Sequence, residues 1–249
     1  MFSSYRFPKI YPILDASIIP ATGRVEFLRR LGGELAEAGV TLLEYRNKTG
    51  ADAELLADAQ ILRTALPAEQ VKLILDDRAD LVEQIGFDGV HVDAGDLKPA
   101  EARRLLGSER IVGTFGGSGA LLPGILNEPA DYFSIGPVFP TRTKQTTKPP
   151  IGIEGVRRLR DEAGAGPVLV AVGGITLATA AEALSAGATL VAIAGAFFRQ
   201  PDPAAEFRRW IAELSWELPV WTCNLPSMHQ KEGAWMVQAA IILLALVSI

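Results

Sequence analysis

Short apolar runs alternate with helix-like stretches along most of the chain, and this alternation restricts the fold more than any other feature. The strand candidates are KIYPILD (9–15), VTLLEYR (40–46), VKLILDD (71–77), GVHVD (89–93), RIVGTF (110–115), DYFSIGPVF (131–139), PVLVAVGG (167–174) and TLVAIAGAF (189–197). They are rich in Val, Ile and Leu and mostly apolar on both faces, the pattern of a parallel sheet covered by helices. Between them, VEFLRRLGGELAEAG, AELLADAQILRTAL, RADLVEQIG, KPAEARRLLG, IEGVRRLRDEAG, LATAAEALSAG and DPAAEFRRWIAELSWEL place apolar residues at three- and four-residue spacing. Gly39, Gly86, Gly107, Gly164 and Gly187 each follow such a run, where a left-handed helix cap needs no side chain. Only SGALLPGILNEP, after the fifth strand, is a weak helix candidate. Eight strands in strict alternation predict an α/β fold, a (β/α)8 TIM barrel, with a doubly wound open sheet as the alternative.

A barrel places its active site at the C-terminal ends of the strands. Those ends carry Glu44, Arg46 and Lys48; Asp76, Asp77 and Arg78; Asp93 and Asp96; and Phe115, Gly116, Gly117 and Ser118. Strand six runs into GPVFPTRTKQTTKPPIG, with Thr141, Arg142, Thr143, Lys144 and Lys148. Strand seven ends in Gly173-Gly174 and strand eight in Gly195. The opposite strand ends show little comparable pattern.

The formal charge of −5 gives no footprint for nucleic acid, so cations that bind anions must be placed locally, as on this rim. Backbone N–H groups at the Gly173, Gly174 and Gly195 turns suit a phosphate, although such glycines also serve tight turns. Asp77 and Asp96 suit Mg2+, which takes one or two carboxylates plus substrate phosphates, and Arg46 and Lys48 would neutralise the rest of a pyrophosphate. Alternatively, Asp77 pairs with Arg78 and Asp96 caps the next helix. His91 lies among valines, where a packed, hydrogen-bonded role is expected. Neither Ser118 nor Cys223 has an evident base partner, so a triad nucleophile is unsupported. The single cysteine fits a reducing, cytoplasmic setting.

Residues 1–218 read as one barrel domain and 219–249 as a linker and apolar tail. GAWMVQAAIILLALVSI (233–249) carries no charge, and as a helix it would span roughly 25 Å, short of a ~30 Å bilayer core. A tail anchor, a helix packed on the body and a segment unrelated to the fold are the three readings, with membrane contact not favoured.

Five motifs in order resemble thiamine phosphate synthase over residues 9–214. LLEYRNK is similar to Q-x-R-x-K, LILDDRADL to N-D-R-x-D-L, DGVHVDAGDL to D-G-V-H-L-G-Q-x-D-L and VAVGGI to A-I-G-G-I, while GPVFPTRTK matches G-P-V-F-P-T-x-T-K outright. The resemblance implies an enzyme that joins a hydroxymethylpyrimidine pyrophosphate to a thiazole phosphate. It implies that Arg46, Lys48 and Lys144 contact the pyrophosphate and that Asp77 and Asp96 hold Mg2+. Thr141, Thr143, Gly174 and the Ala194–Gly195 turn then line the thiazole phosphate site. Five positions depart from the pattern: Glu44 replaces Gln, Asp76 replaces Asn, Phe115 stands where a serine is expected, Gly117 where a histidine is, and Gly195 replaces a serine. The departures support a second reading, a binding paralogue without turnover; the related thiazole tautomerase is a third, and it relies on a histidine whose expected place Gly117 occupies.

Overall fold

The computed structural model describes residues 5–48, 50–93, 97–141 and 148–214. Eight parallel strands close into a barrel in sequence order, which decides between barrel and open sheet. The strands are β1 (Ile10–Asp15), β2 (Leu42–Arg46), β3 (Lys72–Asp76), β4 (Gly89–Val92), β5 (Ile111–Gly117), β6 (Tyr132–Ile135), β7 (Leu169–Val172) and β8 (Leu190–Ile193). The helices are α1 (Arg24–Glu37), α2 (Asp52–Ala65), α3 (Val82–Ile85), α4 (Pro99–Leu106), α5 (Gly152–Ala163), α6 (Leu177–Ser185), α7 (Gly195–Phe198) and α8 (Pro203–Leu214). Among the described residues no helix is long and apolar enough to cross a membrane. The tail expected at 219–249 lies outside the described residues.

The five glycines expected at helix ends all adopt positive φ, between 67° and 107°. Two expectations need correction. Most strands are shorter than their apolar runs, because the runs include the turns that follow. The eighth run ends as a strand at Ile193, and Gly195–Phe198 forms a helical turn that packs Phe197 against Trp210. The weak segment after β5 holds only a 3-10 turn, Ile125–Asn127.

Strand alternation sorts the apolar residues into two layers. One cluster lies between sheet and helices; the other fills the barrel with Tyr11, Leu42, Ile74, Ile111, Tyr132, Val170, Leu190 and Ala192. Gly113 is part of that second layer by omission: a Cβ there would lie 1.9 Å from the Tyr132 ring, so the glycine makes room for the tyrosine.

The N-terminal ends of the strands are not patternless, contrary to the sequence reading. Arg63 on α2 donates to Val71 O at 3.0 Å and to Asp88 at 2.8 Å, and Asp88 also accepts from Leu73 N at 2.9 Å. Arg103 on α4 repeats this with Arg110 O at 2.6 Å and Asp131 at 2.7 Å, Asp131 accepting from Val112 N at 2.9 Å. Arg160 on α5 does the same with Pro167 O at 2.9 Å and Thr189 Oγ1 at 3.2 Å, and Thr189 accepts from Leu169 N at 3.2 Å. Each arginine ties a helix C-terminus to the start of the next strand and to the residue before the strand after that. Those ends carry stability, and the opposite face is left for chemistry.

Candidate active site

A cavity of about 530 Å³ opens among the C-terminal ends of the strands. Its depth follows from alternation. Glu44 and Arg46 lie two positions apart on β2 and both line it, so Glu44 sits about 6.6 Å deeper along the strand. The same holds for His91 below Asp93 on β4, and Tyr11 lies below Ile13 and Asp15 on β1.

The upper layer is ionic. Arg46 donates to Asp15 and approaches Asp76 Oδ2 with Nε at 3.4 Å. Lys48 reaches Asp76 Oδ2 at 3.0 Å and pairs closely with Asp77. Burial pushes the Asp15 carboxyl up, but hydrogen bonds from Ser17 and the Arg46 guanidinium outweigh it and hold the group below its usual range. Carboxylate atoms of Asp76, Asp77 and Asp93 lie within 4.8 Å of one another. Asp76 Oδ2 and Asp77 Oδ1 are buried without a hydrogen bond of good geometry, although the two cations stand near the first. Among the described residues, Asp15, Asp76 and Asp77 gather around Arg46 and Lys48, with Asp93 beside His91. Asp77 is also the only non-glycine at positive φ among the described residues, at 68°, a conformation that aspartate tolerates better than most residues and that clusters at functional sites. The alternative pairing of Asp77 with Arg78 is not formed. Arg78 pairs with Asp52 at 2.5 Å and Asp80 at 2.8 Å, and Asp96, the other residue of that reading, lies outside the described residues.

The lower layer is a hydrogen-bonded row across the barrel. Tyr11 donates to Glu44 Oε2 at 2.7 Å; the Tyr11 and Tyr132 hydroxyls are 2.9 Å apart; Tyr132 meets His91 Nδ1 at 3.1 Å. His91 stacks on the Tyr132 ring, and its Nε2 faces Asp93 at 3.7 Å. His91 is packed and hydrogen-bonded as expected, yet it borders the cavity. Burial lifts Glu44 from 4.5 to about 7, with His91 pulling it down and Asp76 pushing it up. Burial opposes the charged form of His91, but Asp93 and Glu44 prevail and raise its pKa. Both tyrosines are pushed up, first by burial and then by Glu44.

The far wall is built from the motif loops. The Gly136–Pro137 peptide is cis. Gly174 adopts φ 65°, and a Cβ there would lie 2.4 Å from Pro140 O, so the turn after β7 needs glycine to seat against the loop after β6. Thr141, Gly174, Ala194 and Gly195 line this side with Phe115. Lys148 stands 3.8 Å over the Phe115 ring.

The structure therefore brings together Glu44, Arg46, Asp76, Phe115, Thr141, Gly174, Ala194 and Gly195 around one cavity, with Lys48 and Asp77 joined to it through ion pairs. Asp96, Thr143 and Lys144 lie outside the described residues. Sequence reasoning left out Tyr11 and Tyr132, and placed Asp93 and Lys148 on the rim without giving them a role. Strand parity was the available signal for the two tyrosines.

The profile described as thiamine monophosphate synthase matches residues 10–197. A thiamine-phosphate synthase of Koribacter versatilis is 39% identical over 208 residues, covering 83% of this chain and 97% of the relative. One from Agrobacterium fabrum is 35% identical over 195 residues, 77% and 89% of the two chains. The solved thiamine phosphate pyrophosphorylase from Pyrococcus furiosus matches with a TM-score of 0.67 at 26% identity, over 83% of this chain and 95% of that one. With the five motifs distributed around one barrel mouth, the chain belongs to the thiamine monophosphate synthase family.

Proposed function

We propose that the protein is a thiamine phosphate synthase, joining 4-amino-2-methyl-5-hydroxymethylpyrimidine pyrophosphate to a thiazole phosphate with release of pyrophosphate. The observation that carries this reading is the layering of the cavity in a member of this family: cations and carboxylates at the rim, hydroxyls and aromatic rings beneath. A substrate with a charged tail and a flat heterocyclic head has the same polarity.

The acidic cluster fits Mg2+. Its donors are hard oxygens within 4.8 Å of one another, and two carboxylate oxygens there, Asp76 Oδ2 and Asp77 Oδ1, are buried without a hydrogen bond of good geometry. Asp76, Asp77 and Asp93 would hold it, joined by Asp96 on the strength of the resemblance. When bound, the ion neutralises charge on the departing pyrophosphate. Arg46 and Lys48 exchange carboxylate partners for phosphoryl oxygens, with Lys144 from the loop after β6. Thr141, Thr143 and the Gly174 and Ala194–Gly195 turns take the thiazole phosphate. The thiazole nitrogen attacks with a lone pair that needs no deprotonation, so the site has no need of a general base. Holding the two reactants in line supplies much of the remaining acceleration.

The tautomerase reading requires a histidine at position 117. Gly117 adopts φ 156°, and a Cβ there would lie 2.2 Å from Ala120 O, so the backbone has no room for one. Purified protein supplied with both substrates and Mg2+ is expected to release pyrophosphate and form thiamine phosphate, and chelation of Mg2+ to stop both. Binding of both precursors without product under any condition would leave the binding paralogue.

A further inference from the structure

Strand β2 presents two sets of side chains, and only one of them faces the cavity. Glu44 and Arg46 line it. Tyr45, between them, points the other way, into the layer between sheet and helices. Its hydroxyl belongs to a closed ring of polar contacts. Tyr45 donates to Asp58 Oδ2 on α2 at 2.5 Å. With its one hydrogen used there, the Tyr45 oxygen accepts from Asn47 Nδ2 at 3.2 Å. The second hydrogen of that amide goes to Glu54 Oε1, also at 3.2 Å. Arg24, at the start of α1, closes the ring. It donates to both Asp58 oxygens, at 2.8 and 2.5 Å, and to Glu54 Oε1 at 3.1 Å.

The ring extends into the loop that follows β2. Asn47 Oδ1 accepts from Gly50 N at 2.7 Å, so both ends of the amide are engaged. A Cβ on residue 50 would lie 2.4 Å from Asn47 Nδ2 and 2.5 Å from Glu54 Oε1. The glycine thus leaves the space in which Asn47 folds back under its own loop. Lys48 is the next residue along. It turns to the rim, reaching Asp76 Oδ2 at 3.0 Å and pairing with Asp77.

We propose that Tyr45, Asn47 and Asp58 are positioning residues, which clamp the loop after β2 so that the Lys48 ammonium stands ready at the rim for a phosphoryl group. This rests on the synthase reading, in which Lys48 contacts the pyrophosphate. The reason lies in the lysine itself. It is a compact charge on a flexible four-carbon stem, and it cannot fix its own place. What can be fixed is the backbone from which it springs, and a loop ordered in advance costs less to bind. The anchor is firm because it is dry: Tyr45 is 0% and Asp58 1% exposed, and Arg24 supplies the counter-charge to Asp58. Buried, fully paired networks of this kind rigidify what they hold. Arg24, Tyr45, Asn47, Glu54 and Asp58 are all absent from the cavity lining, so their effect on a ligand has to pass through the loop.

Calorimetric titration with inorganic pyrophosphate in the presence of Mg2+ tests this on the parent, Asn47→Ala, Lys48→Ala and the double variant. Asn47→Ala is expected to weaken Kd by about 3–10-fold, in the lower part of the range for coupled neighbours, and to have no further effect once Lys48 is Ala. In turnover it is expected to raise KM for the pyrimidine pyrophosphate by a similar factor and to leave KM for the thiazole phosphate within about twofold. Gly50→Ala, whose methyl group displaces the Asn47 amide, is expected to reproduce the loss, and it takes the place of Asn47→Ala in the cycle if that variant does not melt cooperatively. Unchanged pyrophosphate affinity, whatever the melting temperature, makes the ring a purely structural feature and overturns the proposal. A loss of equal size with and without Lys48 overturns it too. Either result leaves the synthase reading standing. A parent protein that binds no pyrophosphate and forms no thiamine phosphate overturns both.

Discussion

Burial makes the Glu44 carboxyl hold its proton up to about pH 7, whereas in the unfolded chain it releases it near its ordinary 4.5. Between those values the folded protein binds more protons than the unfolded one, so this group makes stability fall as pH rises. The loss is complete above pH 7 and, at about 1.4 kcal/mol per unit of pKa difference, comes to about 3 kcal/mol. The charged and titratable groups around Glu44 are Tyr11 on β1, Asp76 on β3, His91 and Asp93 after it on β4, and Tyr132 on β6. Glu44→Gln removes the proton from the balance and keeps an acceptor for Tyr11. The variant is expected to melt above the parent at pH 8, by ~6–12 °C at 2–4 °C per kcal/mol, with the gap closing towards pH 5. Equal melting temperatures at both pH values would show that burial does not hold this proton. At this scale the sequence shows the rim better than the floor. Arg46 and Asp77 end their strands and are charged, so they stand out. Tyr11 and Tyr132 sit inside apolar runs and look like ordinary core. Only their parity with Asp15 and Ser134, two or four positions along, places them inside the barrel, and that depends on knowing which face is inward.

Between strands and helices, the repeated arginine latch separates two kinds of buried contact. Arg103 and Asp131 form an ion pair with side-chain exposures of 10% and 1%, and Asp131 also accepts from Val112 N. Removing the arginine leaves a buried carboxylate without its counter-charge, which costs about 3–5 kcal/mol. Arg160 makes the equivalent contacts, but its strand-side partner is the neutral Thr189. Loss of Arg160 strands carbonyls and a hydroxyl, and each unsatisfied neutral group costs about 1–3 kcal/mol when it stays out of reach of water. Several contacts of Arg160 are solvent-exposed, including those to Gly164 O and Thr189, so water can replace them. Arg103→Leu is therefore expected to lower unfolding free energy by more than Arg160→Leu in urea titrations, with parent-like KM if either remains folded at assay temperature. Equal losses would show that the carbonyl contacts, common to both, dominate over the ion pair. This repeat was invisible as sequence pattern because its members, Arg63, Arg103 and Arg160, fall on helix faces that otherwise read as solvated. Strands and caps were legible for the opposite reason: an apolar run and the glycine that ends a helix are local signals. The boundary errors share one cause. In GPVF and AGAF the apolar composition continues past the last ladder hydrogen bond, and composition does not record where pairing stops.

For the molecule as a whole, closure is the fact that makes one site from five scattered motifs. Each strand brings its motif to the same rim because the strands are parallel and the order is unbroken. The family profile spans residues 10–197, and α8 follows to Leu214, closing against α1 and α6 and burying Trp210 and Phe207. Every described residue of the cavity lies within residues 11–199. The eight described strands close on themselves, and the described lining of the site ends at Arg199. A chain ended after Leu218 is expected to remain soluble, to melt in one cooperative transition at the temperature of the full chain, and to keep kcat and KM within about twofold. The comparison is informative in both directions. A lower, broadened melt in the shortened chain would mean that the apolar tail covers part of the helical layer. An unchanged melt with full-length protein recovered in the membrane fraction, and shortened protein in the soluble fraction, would mean that the tail takes a barrel complete in itself to a lipid surface.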